Sequence, residues 1–432
     1  MSTALNTDLY ELTMLEAALR SGVAHRASCF EVYARTLPPS RSYGVVSGTL
    51  ALPAAIESFK FKDAQLRFLE SNTPLTKDTL DYLANFRFSG SIWGYRDGEV
   101  YFPNSPVLRV EAKFAEALIL ETLILSTLNF ETAVASAASR MVQVSRGKSL
   151  IEMGSRRTAV ESAVLAARAA YISGFDATSN LEAGRRYGIP TQGTVGHALI
   201  LAHDNELEAF RAQQRVYGAE TTVLVDTYDI YQGIENAVSI FGPGLRAIRI
   251  DSGDLKYEAE RAKQRLVSLG AKNTKIVLSG DLDEYALSDL SGTCADAFGV
   301  GTRLVSGSGY PSANFVYKLV AIDGGSGYRA VAKTSPSKSS KGGVKDAIRR
   351  YDDNGILRGE FIIDPHQRGP RGWSPADQVQ IPIITEGKDA VRPTPVSRLR
   401  QRHLELINML PEQVRTELQP EGPYTTAVAL QN

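Results

Sequence analysis

The chain has 432 residues, 43% hydrophobic and 22% charged, an ordinary globular composition with material for more than one core. Lysine plus arginine and aspartate plus glutamate are equal at 48 each, so no global field favours nucleic acid or an anionic membrane, and a bound anion must be held by locally placed arginines and backbone amides. Two cysteines, Cys29 and Cys294, form no disulfide framework and no metal-ligand spacing, which points to a reducing compartment.

The N-terminal stretch MSTALNTDLYELTML carries two acids and no basic start, unlike a signal peptide. No stretch reads as an apolar run of membrane-spanning length, so the expectation is a cytoplasmic protein without a membrane. Residues 1–115 read as an α/β domain. Within it FKDAQLRFLESN and LTKDTLDYLANF are expected as helices, and SIWGYRDGEVYFP as a hairpin turning at Arg96, Asp97 and Gly98.

From about residue 148 to 320 a rhythm sets in: a short apolar strand, a polar or glycine-rich cluster, then an amphipathic helix. The strand ends fall in SLIEMGSRRT, GFDATSN, IPTQGT, TTVLVDTYD, LRAIRIDSGD, TKIVLSGD and AFGVGTR. Such β-α units build either a doubly wound open sheet or a closed barrel, and both bind ligands at the carboxyl ends of the strands. Because nearly every strand end carries polar residues, the barrel is favoured. About seven units in this length make it an irregular one, short of the usual eight. No GxGxxG or Walker A motif occurs. The barrel domain is expected over 116–325, and 326–432 as a C-terminal segment packing on the N-terminal domain. That segment holds a hairpin at IDGGSGYRAVAKT, a Ser/Gly/Lys-rich loop over 335–345 and a terminal helix pair.

Several strand ends could carry chemistry. Arg156 and Arg157 in GSRRT suit carboxylate or phosphate, which a guanidinium holds bidentately; alone they would read as partners of Glu152 or Glu161. In IRIDSGDL, Arg249 and Asp251 are two residues apart and share a strand face, with Asp254 placed to cap the next helix. Carboxylates beside an arginine suit a sugar phosphate or a magnesium ion. Ser279-Gly280 and Gly301-Thr302 offer small turns whose amides can cradle phosphate. Asp226, Tyr228 and Asp229 add polar groups of undivided role. His197, one of five histidines, follows the turn Gly193-Thr194; alone it reads as a packing or capping residue. Together these ends suggest a phosphorylated sugar substrate.

In order, TDLYELTM (7–14), EMGSRRT (152–158), GFDATSN (174–180), GTVGHALI (193–200), VDTYD (225–229), IRIDSGDL (248–255), VLSGDLDEY (277–285), FGVGTRLV (298–305) and YKLV (317–320) resemble nicotinate phosphoribosyltransferase. The resemblance implies an α/β protein with the irregular β/α barrel of type II phosphoribosyltransferases, an N-terminal α/β domain and a C-terminal extension. It implies transfer of phosphoribosyl from 5-phosphoribosyl 1-diphosphate to nicotinate in NAD salvage, with Mg2+ and with ATP as co-substrate, in a homodimer with shared active sites. By the same resemblance, nicotinate meets Tyr10 from the partner subunit, Thr194, Arg249, Met153 and Asp176. Phosphoribosyl diphosphate meets Arg156, Arg157, Asp251, Ser279, Gly280, Gly301 and Thr302. Asp251, Arg249 and His197 are the expected catalytic residues, His197 as phosphoryl acceptor, and Asp251 or Asp254 would touch the metal. Met153 stands where relatives often place phenylalanine. Asp176 would repel a nicotinate carboxylate unless paired with an arginine or turned away. The alternatives are a nicotinamide or quinolinate enzyme, a non-catalytic sensor of the diphosphate, or a sugar-phosphate lyase. The last is disfavoured by the lack of a strand-end lysine for Schiff-base chemistry.

Overall fold

The computed structural model describes residues 2–39, 41–333, 341–366 and 378–429. Contacts divide the chain into two compact units, one of residues 1–133, 312–394 and 405–432 and the other of 134–311 with 395–404. The first boundary thus falls inside the helix Glu121–Val144, and the strand Phe315–Asp323 belongs to the first unit's sheet.

The first unit is built on a seven-stranded sheet in which Ala27–Ala34 lies between Phe315–Asp323 and Leu108–Lys113, antiparallel to both. Alternation along Ala27–Ala34 sends Phe30, Val32 and Ala34 into the large apolar core, and Cys29 to the opposite face with Val320 and Ala321. Glu31 on that second face is buried and paired with Lys345 at 2.9 Å. Helices form at Asp63–Asn72 and Lys77–Ala84, where the apolar spacing places them. The expected hairpin over 91–103 does not form. Ser91–Gly94 pairs with Leu108–Lys113 and Ile381–Thr385, whereas Val100–Tyr101 pairs with Gly44–Val45. The intervening Tyr95 is fully buried, its hydroxyl on Glu360 at 2.9 Å, so the chain leaves the sheet there instead of turning back. Phe315–Asp323 and Tyr328–Ala330 do form a hairpin, and Asp346–Tyr351 and Leu357–Ile363 a second. Most of the lysine-rich loop (334–340) lies outside the described residues. The terminal helices span Val396–Asn408 and Glu412–Thr416.

One segment corrects the membrane reading: Phe114–Val144 is long and apolar enough, by length and composition, to cross a bilayer. Within the fold most of it is buried, with Ala133, Val134, Ala135, Ala137 and Ala138 all but inaccessible, which is the behaviour of a core helix.

The second unit holds a six-stranded parallel sheet in the order Ala177–Thr178, Ser149–Glu152, Ala297–Val300, Lys275–Ser279, Ala247–Ile250, Thr222–Leu224. Apart from the contact between Ser149–Glu152 and Ala297–Val300, neighbours follow chain order. The order never reverses as in a doubly wound sheet, so this is the irregular barrel. The seventh unit, IPTQGT, adds only a bridge between Thr191 and Thr178, since Pro190 has no N–H to continue a ladder.

Period-two alternation sorts the barrel's side chains. Leu150, Ile248, Ile276 and Phe298 point outward and are at most 1% exposed. Ser149, Ile151, Met153, Ala247, Arg249, Asp251, Val277, Ser279, Ala297 and Gly299 face the interior cavities. Apolar burial outside thus forces the functional residues inside.

Candidate active site

The carboxyl ends of the barrel strands surround a cleft of about 830 Å³. Its centre is Arg249, on the strand Ala247–Ile250. Its Nε donates to Ser279 Oγ at 2.8 Å, Nη1 to Thr194 Oγ1 at 3.0 Å and Nη2 to Asp251 Oδ1 at 2.9 Å. A guanidinium has five N–H groups, so one remains on each terminal nitrogen. A fixed, charged fork of this kind matches a carboxylate. Ser279 in turn donates to Asp251 Oδ1. Burial raises the Asp251 pKa, but the Ser279 hydroxyl, the Arg249 charge and hydrogen bond, and His197 together outweigh it and hold the carboxyl below the usual range. Asp251 is therefore an anion at neutral pH.

Asp226, at the end of Thr222–Leu224, has an inaccessible side chain. Its Oδ2 accepts from the Asp251 amide at 2.8 Å and from Ser252 Oγ at 2.7 Å, fixing the turn that presents Asp251. Its Oδ1 has no hydrogen-bond partner among the described residues and stands 4.0 Å from His197 Nε2. His197 opens the short helix His197–Leu201, with its ring 40% exposed and Nδ1 3.0 Å from Thr227 Oγ1. The histidine is thus oriented by Thr227 while its other nitrogen faces the Asp226 carboxylate. A Cβ on Gly193 or Gly196 would meet nothing within 4 Å, so there is room around the ring.

Arg156 and Arg157 are exposed at the cleft. Neither side chain meets a carboxylate among the described residues, because the two acids that could pair with them are occupied. Glu161 binds Arg186 at 2.8 Å, and buried Glu152 accepts from the Gly154 amide and from Thr178 Oγ1. Burial lifts the Glu152 carboxyl above its ordinary value despite those two bonds. Two guanidiniums with no carboxylate partner among the described residues, beside small turns, have the chemistry to receive an anion. Gly280 has φ +116°, and a Cβ there would lie 2.8 Å from the Asp251 carbonyl oxygen, so only glycine fits. Gly301 precedes the short helix Thr302–Val305, and Thr302 borders the cleft. Met153 lines the cleft with its sulfur packed against Gly299.

Two expected site residues, Asp176 and Asp254, are placed elsewhere. Asp176 faces the helix Val396–Asn408: its Oδ1 pairs with Arg400 at 2.8 Å, and its Oδ2 accepts from Ser149 Oγ and the Leu150 amide. It is turned away and neutralised. Asp254 caps the helix Leu255–Ser268 through the Tyr257 amide. Tyr10 is in the first unit, exposed on the helix Leu9–Ser21, its hydroxyl pKa raised by partial burial and by Glu121. Thr227 and Asp281, the latter lining the cleft, were absent from the expectations; for Thr227 the reason is plain. Its signal was available in the DTYD strand end, but a threonine carries no chemistry until its partner is known.

A family model described as the nicotinate phosphoribosyltransferase N-terminal domain matches residues 5–129, and the nicotinate phosphoribosyltransferase family model matches residues 149–361. The chain is 49% identical over 405 residues to nicotinate phosphoribosyltransferase pncB1 of Mycobacterium tuberculosis, covering 92% of this chain and 89% of that protein. It is 37% identical over 373 residues to nicotinate phosphoribosyltransferase of Bacillus subtilis, covering 84% and 76%. In structure it resembles human nicotinic acid phosphoribosyltransferase with a TM-score of 0.83 at 22% identity, over 98% of this chain and 97% of that one. A nicotinate-nucleotide pyrophosphorylase from Pyrococcus furiosus has the same fold, with a TM-score of 0.76 at 22% identity over 93% and 94%.

Proposed function

The chain belongs to the nicotinate phosphoribosyltransferase family, and from that premise we propose that it joins nicotinate to 5-phosphoribosyl 1-diphosphate, forming nicotinate mononucleotide and pyrophosphate in NAD salvage. The observation that carries this reading is the Arg249 fork, fixed by Thr194, Asp251 and Ser279 in the same cleft as the unpaired Arg156 and Arg157. One group suits a ring carboxylate and the other two suit phosphates.

The pyridine nitrogen is already a nucleophile and needs no general base. Arg249 orients the ring through its carboxylate, so that nitrogen faces the anomeric carbon. As the C1–O bond to the diphosphate breaks, positive charge builds on the ribosyl ring, and anionic Asp251 stabilises it. Arg156, Arg157 and the amides about Gly280 and Gly301 receive the departing pyrophosphate. Nicotinate is preferred to nicotinamide because the fork is cationic and Asp176 is already paired with Arg400. Among the described residues no group of three or more His, Cys, Asp or Glu forms a metal cage. A magnesium ion would arrive with the diphosphate, and Asp251 and Asp281, the carboxylates lining the cleft, would be placed to hold it. Magnesium, when bound, supplies charge neutralisation for the leaving group.

His197 is the phosphoryl acceptor. A ring nitrogen attacks the γ-phosphorus of ATP, the bond to ADP breaks and ADP leaves; Thr227 holds the ring during the transfer. The enzyme acts in the cytoplasm as a homodimer, in which Tyr10 of one protomer packs on the pyridine ring bound by the other.

The test is incubation of the protein with phosphoribosyl diphosphate, magnesium and nicotinate, nicotinamide or quinolinate, with and without ATP. Mononucleotide is expected from nicotinate, faster with ATP. Product from nicotinamide alone would overturn the choice of acceptor, and no pyrophosphate with any acceptor would overturn the transferase and support a sensor.

A further inference from the structure

Barrels of this kind ordinarily fill their interior with bulky branched side chains. Here the inward residues at the amino ends of three strands are Ser149, Ala247 and Ala297. These short side chains leave a second chamber of about 470 Å³ beneath the cleft, within the range that takes a small organic ligand. Met153, Gly193, Thr194 and Val195 line both cavities, so these residues form the wall where the two adjoin. Val277, the cross-strand partner of Arg249, also lines the chamber, which therefore reaches the level of the fork.

Polar and apolar groups share the chamber's lining in about the same balance as in the cleft above. Ile151, Val277, Ala247 and Ala297 give it an apolar patch suited to one face of a flat ring, among polar groups that include Ser149, Thr191 and Gln213. Arg246 and Lys275 stand at its outer rim, exposed and without an ion-pair partner among the described residues. Glu220 and Asp296 share the rim, the latter already accepting from the Ile276 amide at 2.9 Å. Phosphoribosyl diphosphate, drawn to Arg156, Arg157 and the glycine turns, would fill the upper mouth and bar the deeper fork from that side.

We propose that the chamber is a second port to the fork, admitting a planar aromatic monocarboxylate from the amino-end face of the barrel while the diphosphate occupies the cleft. The port rests on the reading of the cleft as a nicotinate and phosphoribosyl diphosphate site. Its rim cations attract the carboxylate, its walls pass the ring, and the flexible Met153 thioether yields at the wall.

The experiment is steady-state kinetics of Ala297→Phe, which narrows the chamber from a position that does not line the cleft, and of the rim double variant Arg246→Glu with Lys275→Glu. In Ala297→Phe, kcat/KM for nicotinate is expected to fall about tenfold, with kcat and the KM for phosphoribosyl diphosphate within about twofold of wild type. In the rim variant the same ratio is expected to fall severalfold at low salt and to recover at high salt. The rim positions are exposed, so this variant decides the matter if Ala297→Phe does not fold. Nicotinate kcat/KM unchanged in the folded variants, or equal losses for both substrates, would overturn the port and leave the transferase reading intact. Failure of the wild-type protein to form mononucleotide would instead overturn the transferase reading.

Discussion

Replacing Arg249 by lysine keeps the positive charge and removes the fork. In the native site three of the guanidinium N–H groups are spent on Ser279, Thr194 and Asp251 at 2.8 to 3.0 Å, and those bonds aim the remaining two. An ammonium presents a point charge on a flexible stem and can hold one such geometry poorly. A hydrogen bond to a charged group contributes about 1.5–3 kcal/mol. Loss of one arm of the fork, with looser positioning of Asp251, should therefore raise the barrier by about 2–4 kcal/mol. At about 1.4 kcal/mol per decade this is a fall of roughly 30- to 1,000-fold in kcat/KM for nicotinate. The assay is pyrophosphate release at saturating phosphoribosyl diphosphate, with the melting temperature as a check on folding. The KM for phosphoribosyl diphosphate should move far less, because the phosphates are assigned to other arginines. A folded Arg249→Lys variant within threefold of wild type on nicotinate would refute the fork, as would an equal loss on both substrates.

His197→Ala should abolish stimulation by ATP and leave slow ATP-independent transfer, read as ADP formed per mononucleotide; unchanged coupling would remove the phosphohistidine. Gly280→Ala places a methyl 2.8 Å from the Asp251 carbonyl at φ +116°, a strain of about 1–3 kcal/mol, and should raise the KM for phosphoribosyl diphosphate, measured by initial rates. Asp346, buried in the first unit, has its pKa pushed up to about 6, by burial first and against the bonds from the Ala347 and Gln380 amides and the charge of Arg109. Because the unfolded chain gives up that proton earlier, Asp346 should cost stability progressively as pH rises from about 4 to about 6, by at most about 3 kcal/mol. Urea titrations of Asp346→Asn should show the variant gaining on wild type across that window and holding the gain at pH 7. An equal pH slope in the two proteins would place the cost elsewhere.

The sequence by itself determined the strand ends and the inward face of the barrel. Alternation in AIRI, KIVLS and SLIEM commits the outward positions to apolar burial, so Arg249, Asp251, Ser279 and Met153 must point into the barrel whatever their partners. The ordered motifs were likewise legible, since strand-tip turns are local and carry their residues in sequence. Tertiary structure alone decided who meets whom. Asp176 and Arg400 are 224 residues apart, and only their encounter turns Asp176 from a ring contact into a buttress. Thr227 came to hold His197 through the approach of a strand-end turn to the start of a helix, an arrangement that no spacing along the chain encodes. The expected hairpin over 91–103 failed for the same reason: Tyr95 found Glu360, far along the chain, and each flanking strand was taken by another partner. Periodicity reports which side of an element is buried, because burial acts on each residue separately. Pairing depends on contacts between distant segments, and these exist only once the chain has closed.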